Sequence, residues 1–225
     1  EAYGVTTVNY NRDVEIFPVL SAIFEEIMGE CPYKSPTDMG VNMAGNCIID
    51  DEACKEASRQ EIIRRYYNCL CDLKRGNSTP AVLYKLELLM KQAGITVADR
   101  KVIAAAMNRE EATGAPAAAI ELPDGTLVTG KTSDLLGASA ACLLNALKIL
   151  AGIDHEIHLV SPDAIHPIQT LKINYLGSQN PRLHTDEILI ALSISAATSP
   201  DAARALNAVP LLKGCEVHSS VLLSS

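Results

Sequence analysis

Gly125 to Thr132 (GTLVTGKT) fits the phosphate-binding pattern G-x-x-x-x-G-K-[ST], with Lys131 and Thr132 as its last two residues. In such a loop the glycines let backbone N–H groups turn inward on an anion. Here the intervening positions are Thr126, Leu127, Val128 and Thr129, three of them β-branched and all four favouring extended chain. Pro123-Asp124-Gly125 is a turn signal between two apolar runs, so the spacing predicts a hairpin of residues 118–122 with 126–129. No apolar run ending in paired acids follows to hold magnesium. A weaker chemistry survives. A helix expected to start at Thr132 or Ser133 would place free N–H groups beside Lys131 and attract an anion. Ordinary capping by Ser133 and Asp134 accounts for the same residues.

Two further stretches concentrate polar chemistry. Residues 33–46 read as a long polar loop in which Lys34, Ser35, Thr37, Asp38 and Asn42 offer donors and acceptors to a polar ligand. A packed surface loop anchored by Val41 and Met43 explains it equally. Asn180 to Glu187 precedes an expected helix start at Thr185, with Arg182 and His184 placed to meet an anion. Capping by Thr185 with acidic residues in the first turn is the plainer account. Glu216 and His218 would share one face of a last strand, suited to acid–base work or to simple polar alternation. His155 and His158 would face opposite sides, and neither H-E-x-x-H nor a zinc-deaminase pattern occurs, so no metal site is expected. Nothing local lowers the pKa of Cys215.

The elements that position these residues follow from periodicity and caps. Apolar spacing predicts helices over 12–28, from Asp50 or Asp51 to about Arg75, from Pro80 to before Gly94, and from Thr96 to before Gly114. The first half, 1–115, therefore reads as a helical domain. From 116 to 225 the pattern becomes hairpin, long Ala/Leu-rich helix closed by Gly152, strand 156–160, helices opened by Ser161-Pro162, Thr185 and Ser199-Pro200, and a strand after Gly214. That alternation predicts a layered α/β domain with a mixed sheet.

With 225 residues and 48% hydrophobic content, the chain can bury a real core. A net charge of −8 and 4% aromatics argue against nucleic acid and against an anionic membrane surface. Seven cysteines without a paired framework or CxxC spacing point to a reducing, cytoplasmic compartment. The absence of an initiator Met and an ending inside an apolar run read as a piece of a longer chain.

Across YNRDVEIFPVL, YKSPTDMGVNMAGNCIIDDEAC, EASRQEIIRRYY, ELPDGTLVTGKTSDLLGASAA and NPRLHTDEILIALSISAAT the sequence resembles a bacterial family called domain of unknown function eighteen-forty-six, or uncharacterised protein family three-seven-one. Its members are about twice this length, and the chain resembles their C-terminal half. The resemblance implies a helical domain paired with a layered α/β subdomain of deaminase-like topology. It also implies a separate phosphate-loop-like segment, and hence ATP, in the half not represented here. No reaction follows from it. The expectation is an enzyme acting on a small polar or anionic substrate, with Lys131 and Arg182 holding an anion and His184 or Asp38 moving a proton. The competing expectation is a homo-oligomeric assembly module built on the apolar helices 135–150 and 188–197.

Overall fold

Asp50 accepts a hydrogen bond from the Ala53 N–H at 2.9 Å, Gly76 takes left-handed backbone at φ 78°, and the 25 residues between them form one helix. This helix belongs to the first of two compact units, which divide after Arg100. The computed structural model describes residues 10–43 and 50–222, without the side chains of 10–12, 37, 41–43 and 51. The first unit contains α1 (Tyr10–Met28), α2 (Pro36–Met43), α3 (Asp51–Arg75), α4 (Pro80–Gln92) and a 3-10 turn, Val97–Asp99, capped by Thr96. Val14, Ile62, Ile63, Leu86 and Leu89 are buried within it.

The expected loop 33–46 is corrected in part. Ser35 begins α2, its Oγ accepting from the Asp38 N–H at 3.0 Å, while the Asp38 carboxylate accepts from the Lys34 N–H at 2.7 Å. Ser35 caps the helix start and Asp38 holds the backbone before it at Lys34, a local signal that outweighed the loop-like composition.

The second unit opens with α5 (Lys101–Thr113), which packs on the sheet. This helix falls with the sheet, after the division at Arg100, because it packs there. β1 (Ala117–Glu121) and β2 (Leu127–Lys131) form the expected hairpin, Ile120 opposite Val128, with Gly125 at φ 83° in the turn. After it come α6 (Ala138–Leu150), α7 (Pro162–Asn174), α8 (Thr185–Ser195), α9 (Pro200–Asn207) and β3 (Glu216–Ser219). Ser161 and Ser199 cap α7 and α9 through their hydroxyls, as their Ser-Pro pairs predict.

β3 pairs with β1, so the described sheet has the order β2-β1-β3 and is antiparallel throughout rather than mixed. The parallel element is one isolated bridge, Leu136 with Leu183. Residues 156–160 form turns instead of a strand: the Asp154 carboxylate accepts from the Glu156 N–H at 2.9 Å, and Leu159 and Val160 point into the helical core. These three strands do not by themselves show a deaminase-like topology.

α6 lies between two cores. Ala138, Cys142 and Ala146 face Ala118, Ile120 and Val128 of the sheet, while Ala140, Leu144 and Leu147 join Leu183, Ile188, Leu192, Ala202 and Ala205. Val102 and Ala106 of α5 cover Ala119 on the opposite face of the sheet. The sheet side of α6 is small, and at Gly130 a Cβ would overlap the backbone N and Cα of Cys142. The second glycine of the phosphate-loop-like pattern is therefore a packing residue. Among the described residues no helix is long and apolar enough to cross a membrane.

Gly130→Ala is expected to cost about 3 kcal/mol or more, since overpacking here meets backbone that cannot rotate away. Gly125→Ala should cost about 1–2 kcal/mol, the penalty of left-handed backbone in an open turn. Urea unfolding of both variants checks this; equal losses would refute the packing role of Gly130.

Candidate functional site

The structure separates the predicted residues into two groups, one in each unit. In the second unit, Lys131 is the exposed last residue of β2 and Thr132 continues extended, its N–H donating to the Pro116 carbonyl at 2.8 Å. The helix starts at Ala138 with Gly137 as cap, so the expected start at Thr132 or Ser133 is corrected. Sheet pairing extends the strand, and Ser133 closes a local turn, its Oγ accepting from the Leu135 and Leu136 N–H groups at 3.3 and 3.1 Å.

That turn is stitched to the Arg182–His184 segment. Arg182 Nε donates to the Ser133 carbonyl at 2.7 Å, the Leu183 N–H to Leu135 O at 2.9 Å, and the Gly137 N–H to Leu183 O at 3.0 Å. Behind it lies Lys172, 4% exposed, whose Nζ donates to the Arg182 carbonyl at 2.7 Å and to Glu187 Oε2 at 2.8 Å. The same carboxylate accepts from the His184 N–H at 2.8 Å. His184, not Thr185, is the residue that precedes the first turn of α8, and its Nε2 lies 3.3 Å from Asn180 Nδ2. Ser133, Arg182 and His184 lie in one neighbourhood, and the hydrogen bonds there join chain segments to one another. The arrangement is a clasp that closes the ends of α7 and α8 over the hairpin exit.

Sequence reasoning missed Lys172, whose place in an amphipathic pattern gives no sign of burial. Partial burial opposes ionisation of Glu187, but the Lys172 hydrogen bond and the His184 N–H outweigh it and hold its pKa below the ordinary carboxylate value.

The first unit contains a cavity of about 340 Å³. Lys34 and Ser35 line it together with Lys55, Ser58 and Arg59 of α3, over apolar surface from Phe17, Ile62 and Leu89. Ser35 and Ser58 are each 2% exposed. Asp38 stands behind Ser35 through the hydrogen bonds already described. Thr37 and Asn42 have side chains outside the described set. Lys55 and Arg59 were not singled out from sequence, although Lys55, Ser58, Arg59 and Ile62 follow the i, i+3, i+4, i+7 rule for one helix face.

Among the described residues, three cations and one carboxylate, Glu25, border this cavity. Lys55 reaches Glu52 only at 4.0 Å, and Arg59 reaches Glu56 at 3.7 Å and Asp99 at 4.0 Å. Ion pairs so long and exposed contribute little and yield readily to a better anion. A phosphate or carboxylate of a small ligand would find charge-assisted donors there and an apolar surface beside them. Among the described residues no three His, Cys, Asp or Glu side chains gather as a metal would require.

Burial pushes the Cys142 thiol up to about 12, and burial also raises Cys215. Neither is an activated nucleophile. Iodoacetamide at pH ~8 should therefore label partly exposed Cys31 and Cys54 in the native chain and spare Cys142; rapid labelling of Cys142 would contradict its packing. Glu187 supplies a second expectation. Its depressed pKa contributes stability that is present above the unfolded-state carboxylate pKa, about 4.3, and is lost as pH falls through the folded value. Between pH ~5 and ~3 the wild-type thermal midpoint should fall more steeply than that of Glu187→Gln, and parallel curves would refute the linkage. Lys172→Ala should cost about 2–3 kcal/mol, since Glu187 and the Arg182 carbonyl lose a common buried donor.

The family model described as "Domain of unknown function DUF1846, C-terminal" matches residues 98–225, and the N-terminal model of the same family matches residues 1–94. The two matches meet close to the division after Arg100. The chain is 57% identical over 225 residues to the UPF0371 protein cu0538 of Corynebacterium urealyticum. It is 58% identical over 224 residues to a UPF0371 protein of Corynebacterium glutamicum, and 57% identical over 224 residues to the UPF0371 protein str1377 of Streptococcus thermophilus. Each match covers 100% of this chain and 45% of the relative, so the chain spans less than half the length of these curated relatives. The C-terminal family match extends without interruption over the whole second unit, hairpin, clasp and α6 included, and the chain belongs to the bacterial family described as domain of unknown function DUF1846.

Proposed function

We propose that the first unit binds a small molecule bearing a phosphate or carboxylate group and an apolar portion, as the substrate-holding part of a bacterial enzyme. The observation that carries this reading is the convergence of Lys34, Lys55 and Arg59 with buried Ser35 and Ser58 around one cavity. Lys34 and Arg59 hold the anion, Ser35 is fixed by Asp38, and Phe17, Ile62 and Leu89 take the apolar portion. Proton transfer by Asp38 or His184 is not part of this reading. Asp38 positions the cap of α2, and His184 belongs to the clasp of the second unit. ATP chemistry, which the family resemblance implies for sequence outside this chain, would act on what this cavity holds.

A second reading, assembly into a homo-oligomer, draws on α8. Ile190 and Ile194 are one turn apart and 60% and 67% exposed, whereas most of the apolar surface of α6 is already consumed by its two cores.

Thermal denaturation against a panel of phosphorylated and carboxylated metabolites tests the binding reading. A ligand at about 100 times its Kd should stabilise by roughly 2.7 kcal/mol, on the order of 2–4 °C for a chain of this size. The shift should vanish in Arg59→Ala and Lys34→Ala and persist in Arg182→Ala. A flat panel, or a shift lost only in Arg182→Ala, would overturn it. Light scattering on Ile190→Asp/Ile194→Asp addresses assembly: conversion of an oligomer to a monomer supports the second reading, and an unchanged mass defeats it.

A further inference from the structure

The outward side of α1 carries Ile16, Val19, Ile23 and Ile27 at intervals of three and four residues, one continuous stripe of a helix. Val19 is 61% exposed and Ile27 75%. Val82 and Leu88 of α4 are also exposed, and two open depressions of about 460 and 610 Å³ run along α1, with Val19 and Gln92 lining both. Contiguous apolar surface of this kind marks an interface more often than a free surface.

We propose that this face docks polypeptide which the longer relatives carry outside the matched region, folded onto α1 and α4 within their own chains. The face lies in residues 1–94, matched by the N-terminal family model, while more than half of each relative's length falls outside its match to this chain. Charge selects among occupants. From Tyr10 to Met28 the helix holds one base, Arg12, against four acids, Asp13, Glu15, Glu25 and Glu26. A second copy laid α1 against α1 would set acidic helix against acidic helix. The occupant is an amphipathic segment with an apolar face and flanks of both charge signs, since Glu15 and Glu26 stand at the rim of the groove together with Arg65 and Lys85.

Amide hydrogen exchange on the intact Corynebacterium glutamicum relative and on this 225-residue chain tests the proposal. The α1 amides should exchange about tenfold or more slowly in the intact relative than in the shorter chain. Val19→Asp with Ile23→Asp, made at the matching positions of the relative, should abolish that difference while amides of α6 keep their protection, which separates undocking from unfolding. Equal exchange of α1 in the two proteins overturns the proposal. So does a dimer of the 225-residue chain that the same double substitution dissociates, since a second copy would then be the occupant.

Discussion

At position 130 the approach of α6 to β2 leaves room for a hydrogen and nothing larger, and the second unit is arranged around that approach. Ala138, Cys142 and Ala146, spaced one turn apart, give the helix a shallow side that can sit against the hairpin. The opposite side, with Leu144 and Leu147, is deep enough to be the centre of a separate helical cluster. One helix thereby joins a small sheet to the bundle of α7, α8 and α9. Asn145 reinforces the contact, donating to the Thr129 carbonyl at 2.9 Å, where a polar side chain would otherwise be partly buried without a partner. The sulfhydryl of Cys142 points to the Val128 carbonyl at 3.4 Å and serves as a small apolar group.

The two units use their cations differently. In the second, Lys172 is buried and its donors are directed at Glu187 and the Arg182 carbonyl, so its charge holds the clasp closed. Arg182 in turn binds a backbone carbonyl. In the first, Lys55 and Arg59 stand at the wall of a cavity, and among the described residues their carboxylate partners are long and exposed. A charge satisfied at 2.8 Å in a protected place belongs to the architecture; one satisfied at about 4 Å beside an open volume is available to a ligand. This contrast, rather than the presence of basic residues, makes the first unit the better binding candidate.

Caps and turns were legible in the sequence because each is a local bargain between a side chain and its own backbone. Asp50, Ser161 and Ser199 open helices as their chemistry dictates, and Gly76, Gly94 and Gly114 follow helix ends in left-handed backbone. The hairpin followed from Pro123-Asp124-Gly125 for the same reason. Residues 156–160 failed as a strand because an apolar run becomes a strand only beside a partner, and here Leu159 and Val160 serve the helical core instead. The loop-like composition of 33–46 concealed α2, whose start rests on the short-range hydrogen bonds of Ser35 and Asp38.

By itself the sequence determined the order of most helices, the hairpin, the place of a last strand after Gly214, and the family, since these rest on neighbours a few residues apart and on long stretches that resemble the family. Only the tertiary structure decided which candidates meet. It placed Lys34 and Ser35 beside Lys55 and Arg59, tied Ser133 to Arg182, buried Lys172, and turned the glycine of a phosphate-loop pattern into a packing contact. Those outcomes depend on distances between segments tens of residues apart, which periodicity does not encode and which packing alone fixes.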